Sequence, residues 1–152
     1  MSTTTMQAQA QQTIADSVLK NTYLLIEALK DNYRQYSIRG HQRAIENFNY
    51  TYDNTDSVQS QYHQQKIDEL KSGKCDIDYV IESGKKYHKV IFVDGGGGRS
   101  AHAFVDKKTG GVFKSASWRS PAKGERYNLL LIKDREWLFE NASWCGGYLY
   151  LR

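Results

Sequence analysis

Residues 76–115 read DIDYVIESGKKYHKVIFVDGGGGRSAHAFVDKKTGGVFKS, and this stretch decides the fold. Ile77, Tyr79 and Ile81 alternate with acidic and polar residues, the period-two pattern of a half-buried strand. Ser83-Gly84 marks a turn, and Lys86 to Val93 forms the next run. Asp94 and the four glycines Gly95–Gly98 break that run before Ser100–Asp106. Lys108-Thr109-Gly110-Gly111 then leads into Val112–Ser115. Short glycine-ended loops between alternating runs are hairpin signals, so the region reads as two consecutive hairpins.

Outward from this core the pattern changes to helical. Ile14, Val18, Leu25, Leu29 and Tyr33 recur at helical spacing, with Thr13 to Asp16 fitting a capping box and Gly40 a stop. One long helix is expected at 14–38. Residues 1–12 are Ser, Thr, Gln and Ala and read as a flexible polar tail. Segment 41–54 fits a helix through Ile45, Phe48 and Tyr52, and a strand through Phe48, Tyr50 and Tyr52; a strand at 47–52 is the reading taken. Thr55 or Asp56 starts a second helix at about 57–71. Beyond the hairpins, 127–132 is an apolar run fitting a further strand, and Asp134 caps a helix at 135–142. Tyr148-Leu149-Tyr150-Leu151 alternates and reads as a C-terminal strand at 147–151.

The expected fold class is α+β. A mainly antiparallel sheet of about five strands (76–82, 86–93, 100–106, 111–116 and 147–151) is covered on one face by the long N-terminal helix. The 152 residues suit one domain over 13–152, mostly helical at 13–73 and rich in basic hairpins at 74–152.

Charge is concentrated. Residues 84–126 carry ten Lys and Arg against three Asp and Glu, a net of +7, whereas 1–83 carry −3 and 127–152 are neutral. Lys85, Lys86, Lys89, Arg99, Lys107, Lys108, Lys114, Arg119, Lys123 and Arg126 supply this charge. Tyr87, Phe113, Trp118 and Tyr127 are interleaved with them. Phosphate attracts such a surface, and aromatics among cations stack on bases. Lysines at hairpin tips also keep sheet edges from pairing, so a solvated basic face explains the same residues. Trp118 to Arg126 holds a tryptophan, the single proline and three cations, the make-up of an ordered contact loop. The 11 tyrosines equally suit a protein-binding face.

No catalytic residue emerges. Gly95–Gly98 leads into a strand and lacks the lysine of a phosphate loop. Among His41, His63, His88 and His102 there is no metal-ligand spacing, and Cys75 and Cys145 form no CxxC pair. His88 and His102, on adjacent strands, could face each other as a metal or acid–base pair; a half-buried structural histidine is the ordinary reading. No cofactor motif is present. No run approaches the ~20 apolar residues of a membrane helix, and Met1–Gln12 has no secretory signal pattern. The cytoplasm is the expected location.

Arg99–Lys114, Ala116–Trp118, Pro121–Asn128 and Ala142–Arg152 resemble a small protein family of tailed phages, notably marine and cyanobacterial ones. The resemblance covers about 85–152. It implies expression inside an infected bacterium and assigns no functional residue. The expected role is therefore a non-enzymatic phage accessory protein that binds nucleic acid. The alternative is a protein-interaction module, either a virion component or an inhibitor of a host protein.

Overall fold

The computed structural model describes residues 2–52 and 58–150, with side chains described for 5–48 and 58–150. The elements are α1 (Ser2–Tyr52), α2 (Val58–Lys71), β1 (Asp78–Ser83), β2 (Tyr87–Val93), β3 (Arg99–Asp106), β4 (Gly111–Lys114), β5 (Tyr127–Asn128) and α3 (Ile132–Asn141), followed by a 3-10 turn at Gly147–Leu149. The five strands form one sheet in chain order, each antiparallel to its neighbour.

Val18, Thr22, Leu25 and Leu29 are fully buried along one stripe of α1, which lies on the sheet face carrying Tyr79, Val90, Ala103, Val105 and Val112. Thr22 satisfies its hydroxyl within the helix by donating to the Val18 carbonyl at 2.7 Å. Lys30 pairs with Asp78 at 2.9 Å and ties α1 to β1. That bond, with the Tyr79 amide, holds the Asp78 carboxyl below its ordinary range against the opposing effect of burial. Leu129, Leu138, Ala142, Tyr148 and Leu149 close the same core from the C-terminal side. A smaller cluster of Ile38, Ile67 and Leu70, with Ile45 against it, joins α1 to α2.

Five expectations are corrected. The helix runs through Ser2–Gln12, where a flexible tail was expected, and its side chains from Thr5 to Gln12 are exposed. Thr13 lies mid-helix and donates to the Gln9 carbonyl at 3.0 Å, so it is no cap. Gly40 does not stop α1, and 47–52 is helical, not a strand. A glycine inside a helix costs only about 1 kcal/mol, and the packing of Ile38 and Ile45 against α2 carries the helix past it. The C-terminal strand is absent from the described residues of 147–151: Gly146, at φ 81°, turns the chain into a 3-10 turn instead. The fifth strand is Tyr127–Asn128. The suggested caps Thr55 and Asp56 lie outside the described residues. Among the described residues, no helix is long and apolar enough to cross a membrane.

Candidate nucleic-acid interface

Strand alternation sorts the basic residues onto two sides of the sheet. Val90 faces α1, so its neighbours Lys89 and Ile91 point to the outer face. Cross-strand pairing lines up Glu82, Lys89, Phe104 and Phe113 in one row on that face. Tyr87 packs edge-on against both Phe104 and Phe113, with ring centroids 5.8 and 6.0 Å away. Phe104 is thereby buried although α1 does not reach it.

The Trp118 loop folds over this row. Ser115 and Pro121 bridge its base, and the Ala116 and Ser117 amides donate to the Ser120 carbonyl. The Ser117 hydroxyl accepts from the Arg119 and Ser120 amides, so the tip is ordered by its own hydrogen bonds. Trp118 lies 4.0 Å beneath the Lys89 ammonium yet stays 42% exposed. The Lys89 side chain is only 11% exposed, held between Phe104, Trp118 and a long 3.9 Å contact with Glu82. Lys89 is thus a positioning residue for Trp118 through a cation–π contact.

The solvent-facing charge is at one end of the sheet. Lys85 and Lys86 sit in the β1–β2 turn, and Lys107 and Lys108 in the β3–β4 turn. The Lys107 amide donates to the Lys86 carbonyl at 3.0 Å, joining the two turns. The Asp106 carboxylate folds the second turn by accepting from the Lys108 and Thr109 amides. Gly110, at φ 76°, completes it; an added Cβ there would press on Leu130 and Asn128. Among the described residues no carboxylate pairs with any of these four lysines. The Lys86 ammonium lies 5.3 Å from the Tyr87 ring centroid, which links the lysine cluster to the aromatic row.

The remaining basic residues are dispersed. Arg119 and Lys123 are exposed at and beside the tip, and Arg99 is exposed at the far end of the β2–β3 hairpin. Lys114, Arg126 and Tyr127 belong to the C-terminal packing. Lys114 lies 4.7 Å from the Tyr150 ring centroid and donates to the Ser115 carbonyl. Arg126 donates to the Leu149 and Lys123 carbonyls at 2.8 Å. Tyr127 donates to the Tyr148 carbonyl at 2.7 Å and stacks on Trp137. The four-glycine loop is a folded hairpin turn, with the Asp94 carboxylate accepting from the Gly96 and Gly98 amides. Those donors point inward at Asp94, unlike the free donors of a phosphate loop.

His88 and His102 do not meet. His88 lies opposite Val105 and shares a 2.7 Å hydrogen bond with the Ser83 hydroxyl. Burial, and then the charge of Lys107, push its imidazole down from 6.5. The β2–β3 register jumps between Val90 and Ile91, from Ala103 to Ala101, leaving His102 as the extra residue of a β-bulge. The bulge turns its ring onto the α1 side, against Tyr79 and 2.8 Å from the Tyr148 hydroxyl. Burial pushes His102 down to about 4 and drives the Tyr148 phenol up.

This gives an acid-stability expectation. His102 binds a proton more readily unfolded, near 6.5, than folded. Stability is complete above pH 6.5 and declines as pH falls from there towards 4, by on the order of 3 kcal/mol. Urea midpoints measured across that range should fall, and His102→Gln should flatten the fall. An equally steep decline in the variant would contradict the role of this ring.

The fold and this face define a small α+β protein whose outer sheet surface joins a lysine cluster, without carboxylate partners among the described residues, to a row of aromatic rings. The chain belongs to a family of unknown function (DUF7717), whose model matches residues 2–151. No curated protein and no solved structure matches it.

Proposed function

We propose that this protein is a non-catalytic accessory protein, of a tailed phage by its resemblance, that binds single-stranded nucleic acid on the outer face of its sheet. One observation carries the reading: four lysines without carboxylate partners among the described residues border Tyr87, Phe113 and the half-exposed Trp118. Lysines of this kind follow a phosphate backbone, and exposed rings stack on unpaired bases. A duplex keeps its bases stacked on each other and leaves these rings unused, so single strands are favoured.

Trp118 tests the stacking half. Stacking on one aromatic is worth about 1–3 kcal/mol, so Trp118→Ala is expected to weaken binding of a single-stranded oligonucleotide by about 5- to 150-fold. Fluorescence anisotropy on single- and double-stranded oligonucleotides of equal length reads both halves. Equal affinity for the two forms, unaffected by Trp118→Ala, contradicts the reading.

A second reading has its own observation. Leu131 and Ile132 are adjacent and exposed at the start of α3. Such an apolar group suits a protein partner, either in a virion or as an inhibited host protein. Mass spectrometry of purified particles and a pull-down from infected cells separate these two forms. Absence from both counts against the reading.

A further inference from the structure

His41 of α1 and His63 of α2 face each other with their Nδ1 atoms 2.8 Å apart. Their ring centroids are 5.0 Å apart. The two distances together define the contact. Two imidazoles on one metal ion at about 2.0 Å have centroids about 4.4 Å apart when cis, and a tetrahedral ion spreads the nitrogens to about 3.3 Å. A short nitrogen–nitrogen distance with widely separated rings is the head-on geometry of an N–H···N hydrogen bond.

Such a bond needs one ring to donate and the other to accept, so at least one imidazole must be neutral. A second proton on the pair sets two N–H donors and two positive charges against each other. The surroundings offer little relief. Arg43 lies beside the pair on α1, and Lys66 of α2 adds positive charge while pairing with Glu69 at 3.6 Å and lying over the Tyr62 ring. Asp76, ahead of β1, is the opposing charge. The apolar contact holding α2 to α1 is small: Ile38, Ile67 and Leu70, with Ile45 partly buried against them. None of these four belongs to the main core under the sheet.

We propose that the His41–His63 contact is a proton-operated clasp that holds α2 on α1 at neutral pH and releases it in acid while the sheet domain stays folded. The direction agrees with the local electrostatics. Burial first, then His63, hold the His41 imidazole below its ordinary 6.5 against the pull of Asp76. The unfolded segment therefore takes up the proton first, and the contact weakens as pH falls below about 6.5.

Amide hydrogen exchange at pH 7.5 and 5.0, corrected for intrinsic exchange rates, tests the clasp. Protection of the α2 amides relative to those of β2 and β3 is expected to fall about tenfold in acid. His41→Gln and His63→Gln should each remove that relative change. Loss in α2 and the sheet to the same degree, or an unaltered relative loss in both variants, overturns the proposal. Imidazole titration of His41 by NMR is the second readout. Its ring should titrate below the ordinary 6.5 and move back towards it in His63→Gln, and a His41 curve that His63→Gln leaves unchanged overturns it.

Discussion

Trp144→Ala is expected to lower the stability of the whole protein by about 3 kcal/mol, near the lower end of aromatic truncations because the ring is half-buried. The indole packs against Tyr33 and Tyr36 of α1, with centroids 5.3 and 5.2 Å away, and against Phe92 of β2 at 6.2 Å. Its amide donates to the Asn32 side chain at 3.0 Å, and its carbonyl accepts from the Tyr79 hydroxyl at 3.3 Å. Helix, sheet and C-terminal turn therefore meet at one residue. Removing the ring leaves a gap that three elements cannot fill together, and the aromatic edge contacts are lost as well. Urea unfolding should show a lower midpoint with an unchanged slope. A loss below about 1 kcal/mol would mean that the C-terminal turn packs independently of this ring.

Much of the sheet was legible because its strands follow one rule. One covered face gives clean alternation, and β1 to β4 lie within two residues of the expected bounds. Val18, Leu25 and Leu29 were legible for the same reason, as a helical stripe over that face. The C-terminus was misleading because Tyr148-Leu149-Tyr150 alternates in chemistry but not in burial. Tyr148 and Leu149 are adjacent and both buried, at 7% and 1%, while Tyr150 is 62% exposed. That is the mark of a tight turn, and its cause is the left-handed Gly146. The path of α1 beyond Gly40 depended on a distant partner: Ile67 and Leu70 reward Ile38 only after α2 has folded back.

The candidate interface was partly legible. Sequence order put Lys85, Lys86, Lys107 and Lys108 at turns, and the antiparallel meander brings those turns to one end. Composition alone does not separate exposed from structural cations. Lys114 and Arg126 resemble their neighbours in sequence, yet both are occupied by C-terminal carbonyls and rings. Lys89 looked like a phosphate ligand, and its ammonium lies over the Trp118 ring instead. The His41–His63 contact had no signal, since its two rings are 22 residues apart on different helices.

Replacing Lys85, Lys86, Lys107 and Lys108 together with glutamine is expected to have the largest effect on binding. Each phosphate neutralised on a single strand contributes about 0.7 to the logarithmic salt slope, so the four account for about 3. The variant should lose that part of the slope and bind at least about a hundredfold more weakly at low salt. Its stability should change little, because surface substitutions away from packed features usually shift stability by less than about 0.5 kcal/mol. A variant that is folded and binds as the parent does would place the interface elsewhere.

The central claim is tested most directly by the salt dependence of the unmodified protein on a single-stranded oligonucleotide. Anisotropy titrations at 50 and 200 mM salt should differ in affinity by about 50-fold if the four lysines each hold a phosphate. Folded protein that forms no complex at the lower salt, or whose affinity is the same at both, would contradict it.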